Sequence, residues 1–568
     1  MALNELKMAK QTEQQKKEKR LSKNVSSTFN NAGFTCVGKT KDIEVIVDGQ
    51  KSDFDNIFYY ENNIIFIEET TNSTSEHVRK KYEFYMTCCN NKNLFLNELK
   101  SKFPGIRKIV TQHTPSELNF IYVYTSLNSV DCKYQTRYKE IFFWDIKQLL
   151  YFLTLSSIIQ KTSKYEIFTA LGIPLGQQIS TSTSRAGYDA MILPQVASGF
   201  PDGYQIFSFF IDPENLLQQA YVLRKYAWLD ADHLYQRILV KNKINEMRGY
   251  LVNENRTFLN NIIATLPDDV KIDDDKGHTI ADASKLRAGD RVKIHIPVNS
   301  NNIGIIDGQH RIFAYHEGDD VHEAKISKIR SKRHLLITAI LYPTGISQKD
   351  KEAFEAKLFL EINDKQTPIK SSLKHVIYTV VDPFSDIAIS KRIVQELSKN
   401  APMNEVFETN YFDKGKLSTT SIVSYGIKYL AKLDGTDSLF CLWTNPKKDD
   451  LKKRKSHKLL DAYISFSATQ LSIFLSGFKS GINKAMWTHD QKISKVLTAT
   501  SINGLIHCLR LLIQNGKTGD FLYYNKKFKN IEKIINFSPG QNAKGEDYFP
   551  YKSSHWKALG EEIYNKCF

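Results

Sequence analysis

The chain has 568 residues, which is too long for one hydrophobic core and predicts roughly three or four domains of about 150 residues each. Hydrophobic residues make up 41% and charged residues 25% of the sequence, a balance that excludes a disordered or fibrous chain. The formal net charge of +16 favours nucleic acid as a partner. A coding bias towards Lys, Asn, Ile, Phe and Tyr is a second explanation of that charge, and composition alone leaves both open.

Neither a membrane nor an oxidising compartment is indicated. No apolar run reaches the roughly 20 residues that span a bilayer, and the N-terminal segment lacks the apolar stretch of a signal peptide. The seven cysteines are odd in number and have no paired C-x-x-C spacing. We therefore expect a cytoplasmic protein without a membrane partner.

The first predicted domain covers residues 1–175 and alternates strands with helices. A Lys-rich helix is expected over 10–30, and a helical run from about 143 to 170 closes the domain. Between them we predict a helix at "SEHVRKKYEFYMTCC" and strands at "TCVG", "IEVIV", "NIIFIEETT", "KIVTQ" and "FIYVYT".

The rest of the chain divides at segments rich in turn residues. Residues 176–188 concentrate Gly, Ser and Thr and are predicted as a linker. Residues 189–400 again mix strands and helices, with a hairpin within "LPDDVKIDDDKGHTIADASKLRAGDRVKIHIP", and residues 401–568 are mainly helical. The predicted class is therefore a multidomain chain of α/β and α+β domains with a helical C-terminal region.

Two acidic residues of the first domain stand where neighbouring strands are expected to begin and end. In "SDFDNIFYYENNIIFIEETT", Asp55 precedes one strand and Glu68 lies near the end of the next. Carboxylates are ligands that Mg²⁺ prefers, and a bound Mg²⁺ supports phosphodiester hydrolysis. Glu69 is expected on the opposite face of the strand from Glu68 and is given no role. Solvated surface acids remain the alternative interpretation.

The order helix, strand with Asp, strand with Glu, helix resembles the PD-(D/E)XK nuclease fold. The resemblance implies a restriction-endonuclease-like α/β domain in which Asp55 and Glu68 bind Mg²⁺ or Mn²⁺, with Asp53 as a rival for the first position and Glu18 as an acid of the first helix. The family's lysine is expected two residues after Glu68, where this chain has Thr70. Lys80 and Lys81 on the following helix are the residues predicted to replace it.

A second motif, "GIIDGQHRIFAYHEG" at residues 304–318, runs from a strand through a turn into a helix. Gly308 permits a tight turn, the backbone N–H groups of Gln309 and His310 can face an anion, and Arg311 offers a guanidinium fork suited to phosphate. Asp307 is expected to cap the helix or to help place a metal. A salt bridge for Arg311 and a core role for His310 are the alternatives.

"DGQHR" followed by Ala314 resembles the DGQHR-domain family, which includes the DndB regulators of DNA phosphorothioation, and more distantly the ParB/sulfiredoxin fold. The resemblance implies a site for ATP or another nucleotide in residues 189–400. By position it adds Arg237, in the Arg-then-helix stretch 235–263, and Asn363 and Gln366, in "FLEINDKQTPIKSSL". Glu361 lies near a family acid without matching its spacing, and Asn363 is alternatively only a helix cap.

Together these resemblances imply three classes of function. The first is an enzyme, a DGQHR nucleotide-binding module joined to a metal-dependent DNA endonuclease, and also an NTPase if the nucleotide is hydrolysed, acting in DNA-modification surveillance or anti-phage defence. The second is a DndB-type DNA-binding regulator whose nuclease fold is inactive, which the Thr70 departure favours. The third is an assembly partner in a DNA-modification or defence complex, with the helical region as a homo-oligomer surface.

Overall fold

The structure is a computed structural model, and it describes residues 13–128, 130–173, 185–222, 239–280, 282–363, 370–408, 415–541, 547–548 and 553–568. By its contacts the described chain forms two compact units, divided between Lys351 and Glu352. The first unit mixes helices and sheets, and the second is almost entirely helical. The predicted domain limits near residues 175 and 400 stay predictions.

The first part of unit one is a five-stranded sheet between two layers of helices. The strands of this sheet are β1 (Thr35–Cys36), β4 (Asn56–Tyr60), β5 (Asn63–Thr70), β6 (Asn119–Ser126) and β7 (Ile141–Asp145), and the intervening β2 (Val45–Val47) and β3 (Gln50–Ser52) pair antiparallel as a separate two-stranded sheet. Its helices are α1 (Glu13–Asn31), α2 (Ser75–Asn90), α3 (Lys92–Lys102), α4 (Arg107–Gln112), α5 (Cys132–Arg137), α6 (Ile146–Ile159) and α7 (Lys164–Ala170).

The sheet order is β1-β4-β5-β6-β7, with β4 antiparallel to β5 and the strands from β5 to β7 parallel. Strand β5 alternates its buried side chains between the two faces. Ile64 and Phe66 pack with α2 and α3, whereas Ile65 and Ile67 pack with α1 and α6. This alternation decides which helix each residue at the end of β5 faces.

Two predicted elements of this domain are wrong. "KIVTQ" forms the helix α4 instead of a strand, because Pro104 begins a turn that leads into it and Ile109 and Val110 pack into the core from one helical turn. The helix predicted from residue 143 begins only at Ile146. The preceding residues form β7 beside β6, and Asp145 ends that strand and caps α6 through the backbone N–H groups of Lys147 and Gln148.

The second part of unit one is an eight-stranded mixed sheet with the order β10-β14-β11-β15-β9-β8-β13-β12. Its strands are β8 (Arg185–Leu193), β9 (Gln205–Ile211), β10 (Ala220–Val222), β11 (Ile262–Leu266), β12 (Lys271–Asp273), β13 (Arg291–Pro297), β14 (Ile303–Asp307) and β15 (Leu335–Leu341). Its helices are α8 (Gln195–Ser198), α9 (Pro213–Gln219), α10 (Lys241–Asn253), α11 (Gln309–Phe313), α12 (Glu323–Arg330) and α13 (Gln348–Asn363), of which the last continues into the second unit.

The predicted hairpin is confirmed, since β12 and β13 pair antiparallel. Of the predicted linker, residues 185–188 belong to β8, which begins at Arg185 opposite Pro297 of β13. Residues 174–184 lie outside the described part of the chain. The two parts of unit one share a core, in which Leu155, Ile158 and Ile159 of α6 pack against the eight-stranded sheet.

The second unit confirms the predicted helical C-terminal region. Its helices are α14 (Ser371–Val381), α15 (Asp386–Leu397), α16 (Thr419–Ser421), α17 (Lys428–Leu430), α18 (Leu439–Leu442), α19 (Lys448–Lys452), α20 (His457–Gly481), α21 (Ala499–Gln514), α22 (Phe521–Phe528) and α23 (Trp556–Cys567). Two short strands, β16 (Gly540–Gln541) and β17 (Asp547–Tyr548), pair antiparallel. Among the helices described, none is long and apolar enough to cross a membrane.

Candidate functional site

Strand pairing brings the carboxylates of Asp55 and Glu68 to one end of the first sheet. Asn56 of β4 lies directly opposite Ile67 of β5 in the antiparallel register, so Asp55 arrives opposite Glu68. The Glu68 side chain is buried, with 5% exposure, and the Asp55 side chain is 10% exposed. The sheet therefore holds two acidic groups close together and largely away from water.

Helix α2 supplies a cation and an imidazole to the same place. Thr74 caps α2 by accepting from the backbone N–H of His77, and His77 and Lys81 follow one turn apart on one face of the helix. Lys81 Nζ lies 2.7 Å from Glu68 Oε2 and 3.0 Å from Asp53 Oδ1. His77 Nε2 lies 3.3 Å from Glu68 Oε1, and its Nδ1 contacts the Tyr124 hydroxyl at 2.8 Å.

The neighbouring carboxylates keep the Lys81 side chain protonated. Burial alone disfavours the ammonium, but the carboxylates of Glu68 and Asp53 outweigh it and raise the pKa of Lys81 above its ordinary value. Burial also raises the pKa of Asp53, yet Lys81 reverses this and the net shift is downwards. Lys81 is thus a fixed positive charge between two acids.

The surroundings of Asp55 disfavour the ionised form of its carboxyl group. Burial, and then the nearby charge of Glu68, raise the pKa of Asp55 to about 6. The opposing contacts are weaker: the Glu69 N–H donates to Asp55 Oδ2 at 2.8 Å, and Lys41 Nζ lies 3.5 Å from Oδ1. A further cation at this place would relieve the repulsion between the Asp55 and Glu68 carboxylates.

Glu69 points to the opposite face from Glu68, as strand alternation predicts. Its carboxylate accepts a hydrogen bond from Asn56 Nδ2 at 2.6 Å and another from Ser22 on α1. Burial and the Asp55 charge raise the pKa of Glu69 to about 7. Glu69 is therefore electrostatically linked to Asp55 although its side chain lies on the α1 side of the sheet.

Several residues considered from the sequence lie apart from these acids. Lys80 is exposed and pairs with Glu76 at 2.7 Å, so of the two lysines only Lys81 reaches Glu68. Glu18 is exposed on α1 and accepts from Gln14 Nε2 at 2.9 Å. The Thr70 hydroxyl donates to the backbone oxygen of Asn72 at 2.9 Å. Within the described residues, no group of three or more His, Cys, Asp or Glu side chains has an arrangement that could hold a metal.

The second candidate site is the DGQHR turn, Asp307–Arg311, between β14 and α11. Gly308 has φ +97°, in the left-handed region that favours glycine. A Cβ there would lie 2.9 Å from both Ile262 Cγ1 and Arg311 Nη2, so glycine is also required by space. The turn is therefore built around close packing of the backbone against the Arg311 side chain.

Arg311 folds back over Gly308 and bonds the acid that begins the motif, as the salt-bridge alternative predicted. Its Nη2 donates to Asp307 Oδ2 at 2.9 Å. The backbone N–H of Val240 donates to His310 Nε2 at 3.2 Å. Two buried polar atoms of the turn, Arg311 Nε and Gln309 Oε1, have no hydrogen-bond partner among the described residues.

A buried ion network fixes the chain just after α11. Arg248 of α10 is fully buried, and its guanidinium lies 2.7 Å from Asp320 and 2.9 Å from Glu323. It also donates to the backbone oxygens of Ala314 and His316, at 3.0 and 2.8 Å. Since Ala314 is the C-cap of the DGQHR helix and His316 lies two residues beyond it, Arg248 caps the end of the helix and holds the chain that follows, which the sequence analysis did not identify.

The remaining residues implied by the DGQHR resemblance are incompletely described. Asn363 is the last residue of α13, and its Nδ2 donates to the backbone oxygen of Phe359 at 3.0 Å, as a helix cap does. Glu361 pairs with Lys357 at 4.0 Å on the exposed side of α13. Arg237 and Gln366 lie outside the described residues.

Comparison with known families bears on the part of the chain that carries the DGQHR turn. Residues 213–466 match the DndB family model, described as DNA-sulfur modification-associated. The DndB match begins at α9 and ends within α20, so it includes the turn and excludes the acids of the first domain. It covers less than half of the chain. No curated protein and no solved structure matches.

The match confirms the DndB-like resemblance, whereas the nuclease-like identity of the first domain stays a prediction. One signal in the sequence was available and missed. His77 stands one helical turn before Lys81, so both were expected on one face of α2. Lys41 had no such signal, because it comes from a connection whose path depends on the folded sheet.

Proposed function

We propose that this protein acts on DNA within a DNA-modification or defence system and that its first domain is a divalent-metal-dependent endonuclease. One observation carries the proposal: Lys81 reaches Glu68 from α2 and provides the cation that Thr70 cannot. The DndB match of residues 213–466 supports the setting in DNA modification. DNA, and a complex of modification or defence proteins, are the proposed partners.

The donor set of the first domain fits Mg²⁺ or Mn²⁺. Asp55 and Glu68 would hold the ion, and the pKa of Asp55, raised by burial and by Glu68, reflects negative charge that the surrounding cations do not fully offset. Mg²⁺ commonly binds through only one or two carboxylates and keeps its waters, so two acids suffice. When bound, the ion supplies Lewis-acid activation of water and neutralises charge on the phosphate.

The other residues have roles that follow from their positions. Lys81 is 12% exposed and is held by Glu68 and Asp53, so its ammonium is fixed beside these acids, where it could bind a phosphate oxygen of DNA. His77 orients Glu68 and is itself positioned by the Tyr124 hydroxyl. Lys80 has no catalytic role in this proposal.

The DGQHR turn is proposed as the nucleotide site, and its unpartnered Gln309 Oε1 and Arg311 Nε support a ligand there. The guanidinium fork would contact phosphate. Because Arg311 Nη2 already pairs with Asp307, the phosphate must either displace Asp307 or share this nitrogen with it. His310, Asn363, Gln366 and Arg237 remain proposed nucleotide contacts from the resemblance. ATP is the first nucleotide to test, and its hydrolysis is a separate question.

A regulator of the DndB type with an inactive nuclease fold is the second candidate. The observation that favours it is that each oxygen of Glu68 already lies within salt-bridge distance of a basic side chain, Oε2 with Lys81 and Oε1 with His77. In that case the acid, lysine and histidine form a structural ion network. DNA binding would then continue without cleavage.

Incubation of the purified full chain with DNA separates these candidates. Modified and unmodified DNA should each be tested with Mg²⁺, with Mn²⁺ and with a chelator, in the presence and absence of ATP. Cleavage that requires the divalent ion supports the endonuclease. Binding without cleavage under every condition supports the regulator.

A further inference from the structure

The end of the eight-stranded sheet at which β11 and β15 begin gathers three segments that are far apart in sequence. Strands β11 and β15 are parallel neighbours, so the segments that precede them, 254–261 and 331–334, lie side by side. The Arg333 Nη2 donates to Asn255 Oδ1 at 2.9 Å, and the Thr257 hydroxyl donates to the backbone oxygen of His334 at 3.1 Å. Strand β14 is antiparallel to β11, which brings the DGQHR turn to the same end of the sheet.

This end of the sheet contains a cavity of about 470 Å³, which we call the aromatic pocket. Among its lining residues are Glu246, Tyr250, Arg256, Phe258, Leu259 and Asn260. The volume is within the range of about 300–1,000 Å³ that is common for small-ligand sites. The pocket is assigned no role by the proposed nuclease or by the DGQHR phosphate site.

The aromatic wall of the pocket is pre-ordered. Tyr250 and Phe258 are stacked with their ring centroids 5.5 Å apart and their planes within 12°, and Phe258 meets Tyr315 edge-on at 6.1 Å. The Arg256 guanidinium lies 5.5 Å from the Tyr250 centroid and is 56% exposed. Flat rings beside an exposed guanidinium form a suitable surface for a nucleobase.

The segment tied to the pocket is strongly basic. In "KISKIRSKRH", residues 325–334, the side chains of Lys325, Lys328 and Lys332 are exposed. Arg333 of the same segment bonds Asn255, the residue directly before Arg256. Two acids oppose this charge: Glu246 lines the pocket, and Glu254 lies 3.9 Å from Arg256. A carboxylate such as Glu246 can accept hydrogen bonds from base N–H groups, so it is compatible with a base but not with a phosphate.

We propose that this end of the sheet binds single-stranded nucleic acid. One unstacked base would lie in the aromatic pocket, and neighbouring phosphates would contact the lysines of residues 325–334. Aromatic rings beside a basic track are the combination that single-strand binders use, whereas a paired base in a duplex cannot enter a pocket. The inference rests on the proposed action on DNA. It adds a binding site distinct from the acids of the first domain.

The test is fluorescence anisotropy of a labelled single-stranded oligonucleotide with the full chain in a chelator, so that cleavage cannot contribute. Tyr250→Ala should weaken binding by about fivefold or more, because base stacking is lost, while Tyr250→Phe keeps the ring and should bind like the wild type. A 2-aminopurine base in the oligonucleotide should lose fluorescence on binding to the wild type and Tyr250→Phe, but not to Tyr250→Ala.

The lysines are tested by salt dependence. Removing Lys328 and Lys332 together by alanine substitution should reduce the slope of log affinity against log salt by roughly 1.4, at about 0.7 per phosphate contact. The matched control is the Lys271→Ala and Lys293→Ala pair, which removes two exposed charges from the edge strand β12 and its neighbour β13 in the same sheet. That pair should leave the slope unchanged.

Equal affinity of wild type and Tyr250→Ala, or tighter binding of the matching duplex than of the single strand, would overturn the inference. Failure of the first domain to cleave DNA would not, because the binding assay excludes divalent ions. Conversely, a Glu68→Gln variant should bind the oligonucleotide as the wild type does. Loss of DNA cleavage and loss of single-strand binding can therefore be distinguished.

Discussion

Lys81 and Glu68 join helix α2 to strand β5 through a 2.7 Å salt bridge, with Lys81 also bonded to Asp53. The pair places a cation beside two acids although no lysine follows Glu68 on its own strand. The same end of the sheet holds Asp55, whose pKa is raised by burial and by Glu68. This relationship is the basis of the endonuclease proposal.

The two adjacent lysines of α2 should behave differently. Lys81→Ala should abolish divalent-dependent DNA cleavage, because it removes the cation that contacts Glu68 and Asp53. Lys80→Ala removes an equal charge that is exposed and paired only with Glu76, so it should cleave like the wild type. Cleavage rates measured under identical conditions compare them. Equal loss in both variants would contradict the assignment of Lys81.

Nucleotide binding at the DGQHR turn should depend on the Arg311 fork. Arg311→Ala should weaken ATP binding by about tenfold or more, since charge-assisted hydrogen bonds contribute roughly 1.5–3 kcal/mol. Arg311→Lys keeps the charge but not the fork and should be intermediate. Calorimetric titration measures these affinities, with the 91% exposed Arg287 changed to Ala as a control. An unchanged affinity in Arg311→Ala would refute the phosphate site.

The buried Arg248 network should be important for stability. Arg248→Met keeps most of the side-chain length but removes the cation that pairs with Asp320 and one of the two that pair with Glu323, which keeps Arg330 at 2.6 Å, and breaking such a buried network typically costs about 3 kcal/mol. Arg256→Met, on an exposed side chain, should change the unfolding free energy by less than about 0.5 kcal/mol. Urea denaturation followed by circular dichroism compares the two variants with the wild type.

His316 gives this region a defined pH dependence. Burial and the Arg248 charge, with Arg330 also nearby, lower the pKa of His316 to about 4 from an ordinary 6.5, against the opposing effect of Asp320. The unfolded chain therefore binds a proton first as pH falls, and the folded state loses stability between pH 6.5 and 4.

A neutral residue at position 316 removes this loss. Relative to His316→Asn, the wild type should become less stable by about 2 kcal/mol between pH 7 and pH 5, at roughly 1.4 kcal/mol per unit below 6.5. Urea denaturation of both proteins at each pH measures the difference. A difference that does not change with pH would contradict a buried, neutral His316.

The sequence predicted those features that depend on local pattern. Asp55 and Glu68 could be placed at strand ends because a hairpin of known spacing brings such positions together. Arg311 and Asp307 stand one helical turn apart with opposite charges, so their salt bridge was an available alternative. "KIVTQ" was misjudged because a short apolar run with β-branched residues fits one turn of helix as well as a strand.

Other features depend on tertiary packing and had no local signal. The choice of Lys81 over Lys80 follows from the rotation of α2 on the sheet, which is fixed by buried Val78, Phe84 and Tyr85. The position of Lys41 depends on the path of a connection. Arg248 looked like an ordinary helix residue, and only its burial against the end of α11 reveals its function.

The measurement that tests the central claim most directly is the rate of Mg²⁺- or Mn²⁺-dependent DNA cleavage by wild type and Glu68→Gln. Gln keeps the volume of Glu68 but removes the charge needed to hold the ion. Glu44→Gln is the matched control, because Glu44 is 57% exposed and paired only with Lys51 among the described residues. We expect cleavage by the wild type and by Glu44→Gln, and none by Glu68→Gln, with DNA binding retained in all three. Absence of cleavage by the wild type with either ion, or undiminished cleavage by Glu68→Gln, would contradict the endonuclease.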